Sequence, residues 1–90
     1  MIYIERFGDW RRGNLHFTVR NTTKEARKAL VIVELGKMGA SQQDFDGLAA
    51  TELLSGRNLP VKADRDARLA QFALDLDAYD TIVVCIRTTH

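Results

Sequence analysis

The amino-acid sequence predicts an all-β protein, a two-sheet antiparallel β-sandwich with seven or eight short strands. Apolar residues alternate with polar ones in several short runs, and this is the period of a half-buried strand. Turn residues separate these runs, and convincing helical periodicity is scarce. Together these features are typical of an immunoglobulin-like sandwich or a related fold of about a hundred residues.

The two clearest strand patterns lie near the carboxyl end of the chain. From Ala70 to Leu76 every second residue is apolar, which predicts a strand with one face in water. From Thr81 to Arg87 apolar residues occupy both faces, and β-branched residues dominate. We therefore expect this last strand to be covered on both sides, by sheet neighbours or by another domain or subunit. Between the two strands, Asp77–Asp80 predicts a tight corner, with the Tyr79 ring packed beneath it and its hydroxyl bonded to the backbone.

An opening hairpin is predicted at the amino end. Ile2–Phe7 and Leu15–Val19 both alternate apolar with polar residues, and the segment between them, Gly8–Gly13, is polar with glycine at each end. Glycine and Asn14 favour turns because they tolerate left-handed backbone conformations. The two strands are therefore expected to pair.

The next stretch is ambiguous. Thr22 followed by Glu25 fits a helix capping box, whereas Leu30–Val33 is rich in β-branched residues. We predict a polar turn followed by a strand from about Lys28 to Leu35.

The middle of the chain carries the weakest signals. Gly36–Gly47 predicts a long connection with one short helical turn around Ser41 to Asp44, and Leu48–Leu54 matches helix and strand equally well. The main rival to the sandwich is therefore an α+β fold with helices at Thr23–Leu30 and Ser41–Leu54.

The segments that follow predict turns and a sheet edge. Ser55–Asn58 predicts a turn, and Leu59–Val61 an extended segment at a sheet edge, because Pro60 has no N–H to donate. Lys62–Arg68 predicts a solvated hairpin turn.

Composition narrows the class of partner. The 90 residues are enough for one domain, which we expect to be a fragment of a larger protein. The net charge is +1, with 13 basic and 12 acidic residues spread along the chain, so we expect neither a nucleic acid nor a membrane as partner. One cysteine and two histidines fit neither an internal disulfide nor the common zinc spacings. No cofactor is predicted.

Three local motifs, taken in order, resemble the carboxyl-terminal β-sandwich domains of glycoside hydrolases of the alpha-amylase and beta-galactosidase type. Phe17–Thr23 before Leu30–Glu34 is similar to their F-x-V-x-N-x-T strand, turn and strand. Ala50–Gly56 before Leu59–Val61 is similar to their v-x-D-L-L-x-G-x-x-V segment, with Glu52 in place of Asp. Phe72–Asp80 before Ile82–Val84 is similar to their closing strands, without the usual proline at the corner.

The resemblance implies a non-catalytic accessory domain. In that family the catalytic carboxylates belong to a preceding barrel, against which the sandwich packs. The implied partner is therefore a neighbouring catalytic domain of the same polypeptide, and the chain itself is not expected to be an enzyme. Two alternatives stay open: an independent carbohydrate-binding module and a protein–protein interaction sandwich.

The candidate carbohydrate-binding residues are Trp10, Tyr3 and Arg11. An exposed tryptophan in a loop is suited to stacking on a sugar ring, and a neighbouring arginine supplies hydrogen bonds. The alternative is that the indole folds over the end of the sandwich or packs on a partner domain. Trp10 and Met38 are predicted to be exposed and to require a partner.

Other candidate sites are expected to be structural. Three pairs of aspartates are spaced i, i+2, at positions 44/46, 64/66 and 75/77, which places each pair on one face of an extended segment. All three lie in or beside predicted turns, where aspartate commonly bonds to backbone. Asn21–Thr23 fits both a glycosylation sequon and a turn. Cys85 is predicted to be a small buried apolar residue.

Overall fold

A computed structural model describes residues 1–89 and shows two antiparallel sheets, so the predicted all-β sandwich is confirmed. The strands are β1 Ile2–Phe7, β2 Leu15–Asn21, β3 Arg27–Val33, β4 Leu48–Glu52, β5 Asn58–Leu59, β6 Lys62–Asp64, β7 Leu69–Leu76 and β8 Thr81–Thr88. Short 3-10 helices occupy Trp10–Arg12, Leu35–Met38 and Gln42–Asp46. No helix among the described residues is long and apolar enough to cross a membrane.

The larger sheet has the order β1-β2-β8-β4-β5, and the smaller one has the order β3-β7-β6. The predicted opening hairpin is present, since β1 pairs with β2 from Ile2 opposite Asn21 to Phe7 opposite His16. β8 lies at the centre of the larger sheet, between β2 and β4. Its outward residues Val83 and Cys85 are only half-buried, so neighbouring strands cover part of the second apolar face.

The core lies between the inner faces of the two sheets. Phe17 of β2 and Phe72 of β7 meet across it, with ring centroids 6.5 Å apart and planes inclined by 59°. Fully burying a side chain of this kind contributes about 1.5–3 kcal/mol. The buried apolar side chains are Leu15, Phe17, Val19, Val31, Val33, Leu35, Ala40, Phe45, Ala50, Ala70, Phe72, Leu74, Leu76, Ile82, Val84 and Ile86.

Strand pairing within the sheets determines the secondary structure of the segments whose local pattern is ambiguous. The helices of the rival α+β fold are not formed: residues 27–33 are β3, and Leu48–Glu52 is β4. Because β4 is hydrogen-bonded to β8 along its whole length, the strand prevails where local periodicity is neutral. The helical turn predicted around Ser41 to Asp44 is present as the 3-10 helix Gln42–Asp46, and a second, unpredicted 3-10 helix, Leu35–Met38, precedes it.

The segment around Pro60 carries the chain from one sheet to the other. β5 is the edge strand of the larger sheet, and Pro60 follows it immediately, as expected for a residue without an N–H. The range predicted for the hairpin turn, Lys62–Arg68, is too long, because its first three residues, Lys62–Asp64, form β6. Pairing with β7 explains the difference, since Lys62 lies opposite Gln71.

A buried asparagine holds the corner between β7 and β8. The Asn21 side chain is fully buried, and its Nδ2 donates to the carbonyls of Glu25 at 2.8 Å and Asp77 at 3.0 Å. Its Oδ1 accepts from the Thr23 N–H at 3.0 Å and from the Thr23 hydroxyl at 2.7 Å. Of the two predictions for this sequon, the structure supports the turn, because the amide that a glycan would modify is inaccessible and already bonded.

Tyr79 does not have the predicted role. Its ring is 67% exposed and therefore does not pack beneath the corner. Its backbone has a positive φ of 57°, and its N–H donates to the Thr23 carbonyl at 3.0 Å. The corner is thus stabilised by Asn21 and backbone hydrogen bonds, with the tyrosine ring outside.

Candidate functional site

The loop between β1 and β2 is held in a defined conformation by its own polar groups. The Asp9 side chain accepts from the Arg11 N–H at 2.9 Å, and the Asp9 N–H donates to Asn14 Oδ1 at 2.7 Å. Gly13, with a φ of 72°, closes the 3-10 helix by donating its N–H to the Trp10 carbonyl. The loop therefore presents the side chains at its tip from an ordered backbone.

These side chains line a cleft of about 510 Å³ at the loop end of the sandwich. Clefts of this size are typical of small-molecule sites. The β1–β2 loop, the connection after β3 and the end of β8 form the walls of the cleft. Its lining residues are Trp10, Arg11, Gly13, Gly39, Asp44, Arg87 and Thr88.

Trp10 and Arg11, both predicted as site residues, lie together in this cleft. Trp10 is half-buried against the core, and so is Met38, which corrects the prediction that both are exposed. The reason is that the 3-10 helix at Trp10–Arg12 folds onto the segment that follows β3. The indole thus packs over the end of the sandwich and also forms part of the cleft wall.

The Arg11 guanidinium lies against the backbone of Gly39. A Cβ at Gly39 would lie 2.7 Å from Arg11 Nε and 3.3 Å from its Cζ, so a larger residue there would displace the Arg11 side chain. Gly39 also has a φ of 99°, which glycine adopts without strain. The close approach places a positive charge at the edge of the cleft.

Two further polar residues come to the cleft from distant parts of the sequence. Arg87 donates from Nη1 to Thr51 Oγ1 at 2.8 Å. Asp44 accepts the Ser41 N–H on Oδ2 at 2.8 Å, which caps the 3-10 helix at Gln42–Asp46. No local pattern in the sequence associates Arg87 with Trp10, because only the pairing of β8 with β2 brings them near each other.

Tyr3 lies in a different place. It lines a separate depression of about 420 Å³ on the outer face of the larger sheet, with Glu5, Thr18, Arg20 and Thr81. Most of β1 separates Tyr3 from the loop, a distance of roughly 13 Å at the rise of a strand. The structure therefore does not bring Tyr3 together with Trp10 and Arg11.

Members of two of the aspartate pairs, 44/46 and 64/66, take part in local structure. Asp64 Oδ1 accepts the Ala67 N–H at 3.0 Å, and Asp46 lies 3.3 Å from Arg65 in an exposed ion pair. Among residues 1–89, no group of three or more metal-ligating side chains is present. Cys85 is half-buried on the outer face of β8 rather than fully buried.

The buried carboxylate of Glu52 is a feature that sequence analysis did not identify. Its oxygens accept the N–H groups of Leu54 and Ser55 at 2.9 Å and also the Ser55 hydroxyl. The hydrogen bond from the Ser55 side chain is the main cause that lowers the pKa of Glu52. The residue closes the turn after β4, which is a structural role.

Comparison with protein-family models, with curated proteins and with solved structures finds no significant match. The resemblance to the sandwich domains of glycoside hydrolases therefore stays a prediction.

Proposed function

We propose that this chain is a non-catalytic sandwich that packs against a neighbouring folded domain. The observation that carries the proposal is an apolar strip on the outer face of the three-stranded sheet. Leu30 and Ile32 of β3 are 59% and 56% exposed, and they lie two residues apart on the same face. Ala73 of β7, opposite Leu30, extends the strip.

The surroundings of the strip resemble the rim of an interface. Lys28 lies opposite Asp75 at one end, and Ile32 lies opposite Gln71, with Lys62 beyond it, at the other. An apolar centre bordered by charged and amide side chains is the usual arrangement of a protein–protein contact. A folded protein surface therefore suits this face better than a small ligand.

The same face includes an open sheet edge. β3 pairs with β7 on one side, and no strand among residues 1–89 pairs with its other side. Exposed apolar edge strands tend to associate unless something covers them. A domain that packs over β3 would cover the strip and shield this edge.

The identity of the partner rests on the resemblance alone. It implies the catalytic barrel of a glycoside hydrolase in the same polypeptide, and we propose that barrel as the partner. A separate protein chain is the alternative occupant of the same face.

Amide hydrogen exchange tests this proposal. We would compare residues 1–90 alone with the complete polypeptide encoded by the same open reading frame. Exchange at Leu30–Val33 should be slower in the complete polypeptide, because a packed domain excludes water from β3. Equal exchange in both, or an open reading frame that ends with this chain, would contradict an intramolecular partner.

A second candidate function is carbohydrate binding at the loop-end cleft. The supporting observation is that Trp10 and Arg11 line one cleft of about 510 Å³. Because the chain has a single tryptophan, its fluorescence reports on this cleft alone. A saturable change with soluble oligosaccharides would support binding, and no response across a broad panel would contradict it.

A further inference from the structure

The loop-end cleft is lined by two arginines, Arg11 and Arg87, and by one carboxylate, that of Asp44, so the described lining residues carry a net positive charge. The ion pairs among residues 1–89 involve other side chains, and neither Arg11 nor Arg87 forms one. A guanidinium carries five N–H donors in a planar fork that matches the two oxygens of a carboxylate. Arg11 lies against Gly39 and forms no ion pair with any of the described residues. The cleft is therefore suited to a ligand that carries an anionic group.

The other polar groups of the cleft fit hydroxyl groups. Asp44 uses one carboxylate oxygen to accept the Ser41 N–H, and a carboxylate has further lone pairs with which to accept O–H donors. The Thr51 hydroxyl accepts only one of the donors of Arg87. Acceptors and donors thus lie in the same cleft as the indole of Trp10, an arrangement that suits a hydroxylated ring with an acidic substituent.

We propose that this cleft binds a saccharide that bears a carboxylate, a hexuronate, either as the free sugar or as a unit of a polyuronide. The proposal rests on the second candidate function, sugar contact at Trp10, and specifies the charge class of the sugar. Arg11 is the residue assigned to the carboxylate, because it lines the cleft and forms no ion pair with residues 1–89. The cleft volume of about 510 Å³ lies within the range of small-molecule sites.

The experiment is a titration of Trp10 fluorescence with matched acidic and neutral sugars. The probes are D-galacturonate and trigalacturonate, with D-galactose and galactotriose as neutral counterparts and sodium acetate as a simple carboxylate. We expect saturable binding of an acidic saccharide at least about tenfold tighter than that of its neutral counterpart, as for hydrogen bonds to charged groups. Tighter binding of the trimer than of the monomer identifies the polymer as the source.

Two matched variants assign the carboxylate to one arginine. Arg11→Gln should weaken binding of the acidic saccharide about tenfold or more, and should weaken binding of its neutral counterpart by clearly less, because only the acidic saccharide loses a charged hydrogen bond. Arg12→Gln removes the same charge from the same loop, but Arg12 does not line the cleft and pairs with Asp9 instead, so it should change little. Circular dichroism of both variants verifies that the fold is retained.

The remaining outcomes overturn the proposal in distinguishable ways. Equal binding of acidic and neutral sugars would leave sugar contact standing and exclude the carboxylate assignment. Equal binding of acetate and galacturonate would mean a general anion site. Equal losses in the two arginine variants would indicate loop charge rather than a built site. If no sugar binds, the second candidate function fails as well.

Discussion

The two ends of the sandwich use polar side chains in opposite ways. At the corner end, Asn21 is fully buried and Glu52 is 6% exposed, and each bonds to backbone groups of the turn beside it. At the loop end, Trp10, Arg11 and Arg87 border an open cleft, and the two arginines form no ion pair within the part of the chain that the structure describes.

The comparison distinguishes polar side chains that stabilise the fold from polar side chains that are available to bind a ligand. No buried side-chain nitrogen or oxygen atom among the described residues lacks a hydrogen-bond partner, so the buried polar groups at the corner end are already paired within the protein. The guanidinium N–H donors at the loop end are exposed to water, so their presence there costs the fold little stability. Substitutions at the corner end should therefore reduce stability, and substitutions at the cleft should reduce binding.

The largest effect is expected at Asn21. Asn21→Ala removes four hydrogen bonds and leaves the carbonyls of Glu25 and Asp77 without this donor, so we expect a loss of about 3 kcal/mol or more of unfolding free energy. Urea denaturation measures it. Asn14→Ala is the matched control at the loop end, where an exposed side chain accepts one backbone N–H. Its cost should be about 1 kcal/mol or less, and equal costs would refute the contrast between the two ends.

Substitutions at two glycines, Gly8 and Gly13, test how tightly the β1–β2 loop is packed. A Cβ at Gly8 would lie 2.0 Å from the Asn14 carbonyl oxygen, whereas a Cβ at Gly13 meets nothing within 4 Å, although both residues have positive φ. Gly8→Ala should therefore cost at least about 2 kcal/mol, and Gly13→Ala about 1 kcal/mol from backbone strain alone. Thermal unfolding compares the two. Similar melting temperatures would mean that the loop relaxes around the added methyl group.

The Glu52 carboxylate predicts a pH dependence at the corner end. Because its pKa in the folded state is lower than its ordinary value of 4.5, its contribution to stability is present above that value and is lost as the pH falls through the lowered pKa. Glu52→Gln should therefore be less stable than the wild type at neutral pH, with a difference that narrows below pH 4.5. Denaturation midpoints between pH 3 and 7 measure this narrowing. Glu5→Gln removes the same charge from exposed β1 and is the matched control. If the stability difference between Glu52→Gln and the wild type did not vary with pH, the hydrogen bond from Ser55 to the Glu52 carboxylate would not be its cause.

The smallest effect on stability is expected on the outer face of the three-stranded sheet. Leu30→Thr with Ile32→Thr replaces exposed side chains and places a β-branched residue at both positions of β3, so the unfolding free energy should change by about 0.5 kcal/mol or less per site. In the complete polypeptide the same pair should abolish the slow exchange of β3. Unchanged protection there would place the interface elsewhere.

Local pattern was sufficient for most of the fold and for part of the cleft. The alternation in β1, β2 and β7 predicted those strands, because side chains of a strand point to its two faces in turn, and the β-branched apolar run predicted β8. The turn residues at Gly8–Gly13 predicted the loop that carries Trp10 and Arg11. The segment at Leu48–Glu52 stayed undecided, because its few apolar residues satisfy both periods.

The sequence by itself determined the all-β class, the opening hairpin and the placing of Trp10 and Arg11 in one loop, since each depends on neighbours along the chain. The tertiary structure alone decided that Leu48–Glu52 is a strand, that Tyr3 lies far from Trp10, and that Arg87 and Gly39 join Arg11 at one cleft. The physical reason is that strand pairing and close packing join residues that are distant in sequence, and no local period specifies which strands will meet.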